Sequence, residues 1–456
     1  MSITATGFVF IILGLYGLVL NKKFLYEITI FFIPFSSTAV INVGSAENGS
    51  AIQPFMFLGL IWLTSIFVRK RKGFINSLEI NKAELNSILL LLCFAFVTGL
   101  SLIMPVLING KEMGNVSGDL YSSAPIIFST RNITQYLYLL FGIAMAICLY
   151  IHNRDQDNYR RTLKVFSYSI IFVVSWGVLE LFCYTINITY PSFIFNNSIS
   201  RSAGGFETFL QSEEESTKRI SSVAVEPSVL VQNIVMILPF LIVGVINKKY
   251  IFNRNFDIFL IISLYIFIIR TTSSLGIICL VLITLISTIY YYRKLNLKRK
   301  IISILCSIFI FPIFAIISYS LFQEIIDAAV FNKSDTYSSL ERSSATLEAW
   351  SSFLNHPILG VGWGSVSSFD LFVKILSNTG IIGCFFFLGF LYTSFKNQIM
   401  ARNISYKAST YMSSVIMSFS ILIFANIVTG FSFVFGFFWL AISLMMVTGT
   451  NFYKKV

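Results

Sequence analysis

Residues 226–247 read EPSVLVQNIVMILPFLIVGVIN, and no charged side chain separates Glu226 from Lys248. An apolar run of about 20 residues, wound as a helix, matches the hydrocarbon thickness of a bilayer. Pro227 suits the first turn of that helix, because the N–H it lacks is one the turn leaves unpaired. Glu226, just ahead of it, is placed to cap the helix, and Ser228 lies two residues on. A carboxylate there is held ionised by the helix amino terminus, which suits accepting a proton or a hydrogen bond. Capping and catalysis both remain open for Glu226.

Runs of the same kind fall at 3–20, 24–43, 51–68, 86–107, 133–152, 163–185, 226–247, 256–270, 273–292, 301–322, 370–395, 408–428 and 431–449. The run at 256–270 is short, and the last two are nearly continuous. With 56% hydrophobic residues, 12% charged residues and a mean hydropathy of +0.79, the 456-residue chain lies outside the range of soluble domains. The sequence therefore predicts an all-α polytopic membrane protein, a helical bundle of about 13 (12–14) spans forming one transmembrane domain over 1–456. The first run lacks a positively charged start, so it reads as a retained span rather than a signal peptide.

Charge placement orients the bundle. Of the 33 Lys and Arg residues, 24 follow odd-numbered spans, in hooks such as Lys22-Lys23, Arg160-Arg161, Lys248-Lys249 and Lys298–Lys300. The positive-inside rule places those hooks in the cytoplasm, with the amino terminus on the opposite side and the carboxyl terminus inside. The net charge of +12 then follows from topology and gives no indication of nucleic-acid binding. All six cysteines fall inside predicted spans, where they act as small apolar residues.

Three loops on the other face are longer, at 108–132, 186–225 and 323–369. The second carries Glu213, Glu214 and Glu215 in a row and reads as a solvated connector or a lid. Within the third, residues 338–364 read SSLERSSATLEAWSSFLNHPILGVGWG. Ser338 and Glu341 have capping-box spacing, and Leu340, Leu347, Trp350 and Leu354 share a face, which predicts a helix over 340–354. Arg342 would sit in its first turn, where a cation gains nothing from the helix dipole. His356-Pro357 should end the helix. Gly360, Gly362 and Gly364 then supply a turn able to bring backbone N–H groups to an anion. The alternative is an amphipathic helix on the membrane surface with a glycine turn behind it.

Three outer arginines, Arg219, Arg270 and Arg342, each lie at a span mouth or in an outer loop. Guanidinium groups bind phosphate in a bidentate manner and stay charged, so such a set suits a lipid-linked pyrophosphate. Arg270 alone could equally snorkel to headgroups. Glu180 within span six is a carboxylate that should pair with a cation or line a polar cavity. Glu27 sits close enough to a membrane boundary to be hydrated. With two histidines, His152 and His356, and no carboxylate cluster at ligand spacing, neither a metal site nor a cofactor is expected. Asp155-Gln156-Asp157 resembles a metal-holding D-x-D element, but no nucleotide-binding domain surrounds it, and no P-loop or dinucleotide fingerprint is present.

Set side by side, these pieces resemble the O-antigen and capsule polymerases of the Wzy type and the related O-antigen ligases. The matching pieces are Arg219 followed by Glu226-Pro227-Ser228, the turn Thr272–Ser274, and Arg342 with a helix leading to His356-Pro357-x-x-Gly360-x-Gly362-x-Gly364. Asp370-Leu371 running to Leu376, Asn378, Gly380 and Gly383 completes them. The resemblance covers roughly residues 200–395. It implies polymerisation of undecaprenyl-pyrophosphate-linked repeat units at the outer leaflet of the bacterial inner membrane, alongside a flippase and a chain-length regulator. By the same resemblance, Arg219, Arg270, Arg342, Gly362 and Gly364 would hold the pyrophosphate. Glu226 or Asp370 would take the acceptor proton, with His356, Glu180 and Ser228 as further candidates. Ligases usually carry His-Asn where this chain has Phe369-Asp370, which favours a polymerase over a ligase. A flippase should show charges along several spans and two related halves.

Overall fold

Apolar stretches bounded by Asn, Ser, Asp and Pro caps become helices along most of the chain. The computed structural model describes residues 1–44, 50–69, 81–114, 123–199, 209–211, 216–300, 337–402, 406–430 and 433–448. In chain order the helices begin with α1 (Ala5–Val19), α2 (Lys22–Phe31), α3 (Pro54–Arg69), α4 (Lys82–Ser101) and α5 (Met104–Leu107). They continue with α6 (Thr130–Asn153), α7 (Gln156–Thr185), α8 (Ser192–Phe195), α9 (Pro227–Ile246), α10 (Arg254–Arg270) and α11 (Ser274–Tyr292). The last four are α12 (Tyr337–Asn355), α13 (Leu371–Arg402), α14 (Tyr406–Thr429) and α15 (Gly436–Met446). Among the described residues seven helices are long and apolar enough to cross a membrane. The chain is a multi-pass, mainly helical membrane protein.

Not every apolar run is a continuous helix: 86–107 is divided between α4 and α5, 370–395 is broken at Gly380, and two others depart further. The run at 24–43 stays helical only to Phe31. Pro34 follows, which drives the preceding residue out of the helical region, and the chain continues as irregular backbone into strand β2 (Ile41–Val43). The run at 431–449 contains an eleven-residue helix, α15. The run at 301–322, with Cys306, lies outside the described residues, as do Glu213, Glu214 and Glu215.

Helix α9 is the centre of the bundle, enclosed by α10, α11 and α14. A helix apolar all round belongs in such a place. Small residues let neighbours close in. A Cβ on Gly142 would collide with Trp439, and one on Gly276 would meet Ile268 and Val231.

Polar contacts divide the molecule into two ends. At one, basic hooks gather: Arg161 pairs with Glu27, Arg154 with Glu84 at 3.9 Å, and Lys294 with Asn247. At the other lie a three-stranded sheet of β1 (Ser2–Ile3), β2 and β3 (Ser50–Ile52), the loop carrying Arg219 and the glycine loop after α12. Two hairpins, β4 (Glu112–Gly114) with β5 (Ser123–Pro125) and β6 (Phe209–Gln211) with β7 (Ser216–Lys218), complete the strands.

Candidate functional site

Glu180 organises the loop that carries Arg219. Its carboxylate is buried near the end of α7 and accepts hydrogen bonds from the backbone N–H groups of Ser221 (3.2 Å) and Ser222 (2.7 Å). It also pairs with Lys218 at 3.2 Å. The partner of this intramembrane acid is therefore a lysine, and none of the three arginines fills that place. Ser222 takes a left-handed φ of 53° and is held there by its hydroxyl donating to Val173 O at 2.7 Å. Such a conformation in a non-glycine residue persists where the surroundings over-determine it.

Arg219 sits between two fixed points, Lys218 and Ser221. Its guanidinium is pushed below its ordinary pKa chiefly by burial and further by the Arg342 charge, while the Glu226 carboxylate acts the other way and raises it. Glu226, seven residues on, and Arg342, from a distant part of the sequence, thus both lie within electrostatic reach of Arg219. Arg219 Nε is buried and has no hydrogen-bond partner among the described residues. Glu226 occupies the N-cap position of α9, followed by Pro227 at N1, yet its side chain makes no capping bond. It instead accepts a hydrogen bond from the Ser228 hydroxyl at 3.0 Å and is exposed at the helix mouth. Capping alone therefore does not account for the carboxylate. Arg342 lies over the ring of Phe369, 5.4 Å from its centroid.

Helix α12 starts earlier than the capping box predicts. The chain is already helical at Tyr337, so Ser338 is inside the helix and Arg342 is in its second turn. The apolar face is also placed differently. Leu340, Leu347, Trp350 and Leu354 are exposed, while Ala345, Ala349 and Ser352 are buried where α12 packs on α13 and β4. Small side chains permit that close approach between helix backbones.

The helix ends at Asn355, before His356-Pro357, as the proline requires. Beyond it Gly360, Gly362 and Gly364 all have left-handed φ, at 65°, 97° and 82°. Their neighbours explain why glycine is needed. A Cβ on Gly360 would strike the backbone at Ser377 and Asn378, one on Gly362 would strike Pro105, and one on Gly364 would press on Asn132 and Gln135. Val361 N donates to Ser377 O at 2.8 Å, Trp363 N to Ser101 Oγ at 3.2 Å, and Ile381 N to Pro357 O at 2.8 Å. The last of these closes a break inside α13 at Gly380, where φ is 66°. The glycine loop and the Asn378–Gly380 break are therefore one interlocked unit. In it the backbone serves packing.

Asp370 Oδ1 accepts from Val373 N at 2.8 Å and so caps α13. Likewise Asp155 accepts from the N–H groups of Asp157 and Asn158, which accounts for the D-x-D element as a cap of α7. His356 is held below its usual pKa by burial and by the nearby Lys111 charge. Arg270 is exposed at the end of α10, beside an apolar groove of about 530 Å³ that also contains Ile220. The buried turn after it holds Thr272 at a φ of 52°, a conformation rare for a β-branched residue.

Two further cations line the interlocked unit. Arg131, at the start of α6, donates to Ser367 Oγ at 2.7 Å, and Lys374, in the first turn of α13, is near enough to feel its charge. Sequence reading missed both, because Lys374 lies inside an apolar run and Arg131 counts there only as one more outer charge. Their signal was adjacency: Lys374 lies one helical turn from Asp370, and Arg131 opens a span. No protein-family model matches the chain, and no curated protein matches it.

Proposed function

We propose that this chain polymerises undecaprenyl-pyrophosphate-linked repeat units into O-antigen or capsular polysaccharide at the outer leaflet of a bacterial inner membrane. In this reading the end carrying Arg219 faces the periplasm, the basic hooks face the cytoplasm, and about 13 spans connect them, residues 323–369 forming the large periplasmic loop. The observation that carries the proposal is the buried Arg219 Nε without a partner, beside both Arg342 and the exposed Glu226 carboxylate. A buried donor of that kind calls for a ligand acceptor.

The acceptor sugar's hydroxyl attacks the anomeric carbon of the donor chain. Its proton passes to Glu226 as the carbon–oxygen bond to pyrophosphate breaks, and the bonding pair leaves with the pyrophosphate. Arg219 and Arg342 stabilise the charge that develops there. Ser228 orients the carboxylate, and Arg270 meets the lipid side of the substrate. A flippase would supply the repeat units, and a chain-length regulator would set their number.

Deleting the gene and adding back wild type or Arg342→Ala tests this. The deletion should reduce the surface polysaccharide to single repeat units on a gel. Wild type should restore the ladder, while Arg342→Ala should fall short by about a hundredfold, the loss expected for one such contact. Full-length polymer at normal levels from Arg342→Ala would remove the assignment. Accumulated lipid-linked polymer over bare core would make the chain a ligase, and repeat units trapped on the inner leaflet would make it a flippase.

A further inference from the structure

A cavity of about 700 Å³ lies at the opposite end of the bundle from the candidate site, between α2, α7, α14 and the hook joining α9 to α10. Its lining includes Arg160, Arg161, Lys164, Lys248 and Lys249 against one carboxylate, Glu27. Glu27 pairs with Arg161, and Arg160 Nε donates to the Tyr411 hydroxyl at 2.6 Å. Both guanidinium groups are thereby fixed in the wall. Lys164 extends from the same face of α7 as Arg160 and Tyr168, with its ammonium 5.7 Å from the Phe252 ring centroid. Lys248 and Lys249 form no ion pair among the described residues.

The backbone gives an independent reason to look here. Lys248 has a φ of 56°, directly after α9, and the turn is closed by Lys248 N on Val245 O at 3.2 Å and Lys249 N on Gly244 O at 2.8 Å. Glycine is the residue that fits such a helix end without strain. A lysine there accepts backbone strain and turns its ammonium toward the cavity region. On α7, Arg160 and Arg161 sit in the second turn, where the helix dipole gives cations no support.

Below the cations the lining becomes apolar, with Leu163, Val165, Phe240 and Ile251. We infer that this cavity binds a phosphate-bearing anion, presented as the headgroup of an anionic glycerophospholipid. The phosphate would lie among Lys164, Lys248 and Lys249, and the glycerol and first methylenes on the apolar floor. Basic pockets between spans are suited to such headgroups. The bound lipid would bridge α7 and α9, which come from different parts of the chain, and so tie the two together. This inference does not depend on the polymerase reading.

The test uses the full chain purified in detergent and stripped of lipid, titrated with dioleoyl phosphatidylglycerol, dioleoyl phosphatidylcholine or inorganic phosphate, and read by thermal unfolding and native mass spectrometry. Phosphatidylglycerol should bind and raise the melting temperature, and phosphatidylcholine should do neither. Replacing all three lysines with Gln should weaken phosphatidylglycerol binding by roughly a hundredfold, about fivefold per lysine. Lys248→Gly should melt higher than wild type without lipid, yet bind phosphatidylglycerol about fivefold more weakly, opposite signs that a purely structural lysine would not produce. Equal phosphatidylglycerol affinity in the triple variant would overturn the site. Equal protection by inorganic phosphate at matched concentration would overturn its assignment to a lipid.

Discussion

Arg219 shows how one side chain can be specialised by where it is held. Burial disfavours its charge, and a neighbouring Arg342 disfavours it further, while Glu226 supports it. A guanidinium withstands that opposition, but an ammonium would not. Arg219→Lys should therefore retain activity at low pH and lose it as pH rises, since a lysine pKa depressed by the same surroundings leaves the group neutral above it. A pH–rate profile in which the variant falls below wild type by an order of magnitude more at pH 9 than at pH 6 is expected; a constant ratio would show that charge at 219 is not limiting. At this scale the sequence was informative about identity and silent about arrangement. Arg219, Glu226 and Arg342 could be named from charge and position alone, but Lys218 as the partner of Glu180 could not. Nothing in the spacing of positions 180 and 218 distinguishes that lysine from Arg219 beside it.

Among the elements, α12 and the broken α13 teach different lessons. The apolar periodicity of 340–354 correctly announced a helix, yet the face that packs is the one with Ala345 and Ala349. Periodicity reports that two faces differ; which of them turns inward depends on whether water or lipid lies outside. The break in α13 was less legible, because hydropathy reads 370–395 as one span although Ser377-Asn378-Thr379 precede Gly380, and the left-handed φ of Gly380 is required by the approach of Ile358 and Leu359. A Cβ at 380 would fall 2.1 Å from Ile358 O. Gly380→Ala should therefore destabilise the protein by about 3 kcal/mol through strain and the lost dock with the glycine loop, a change measurable as a lower melting temperature in detergent. Gly389→Ala in the same helix, where the nearest foreign atom is 3.4 Å away, serves as the control and should melt near wild type.

For the molecule as a whole, the charge pattern was more legible than the number of crossings. Alternating basic and non-basic connections predicted two distinct ends, and the contacts of Arg154, Arg161 and Lys294 bring basic hooks together at one of them. Span counting from hydropathy assumes a continuous helix for each apolar run. Pro34 breaks that assumption in the run at 24–43, whose Ser36, Thr38 and Asn42 meet partners in other loops. Sidedness can be read directly in cells. Ser351→Cys should react with a membrane-impermeant maleimide added to spheroplasts, and Arg254→Cys only after permeabilisation; the reverse pattern would invert the proposed orientation. The grip of Glu180 on Lys218, Ser221 and Ser222 has a consequence of another kind. With Arg219 held from both sides, by Lys218 and by Ser221 and Ser222, the sequence between Asn196 and Phe209 can lengthen, shorten or change composition without shifting the guanidinium. Under the polymerase reading proposed above, that loop would be free to vary with the acceptor sugar while Arg219 keeps its place.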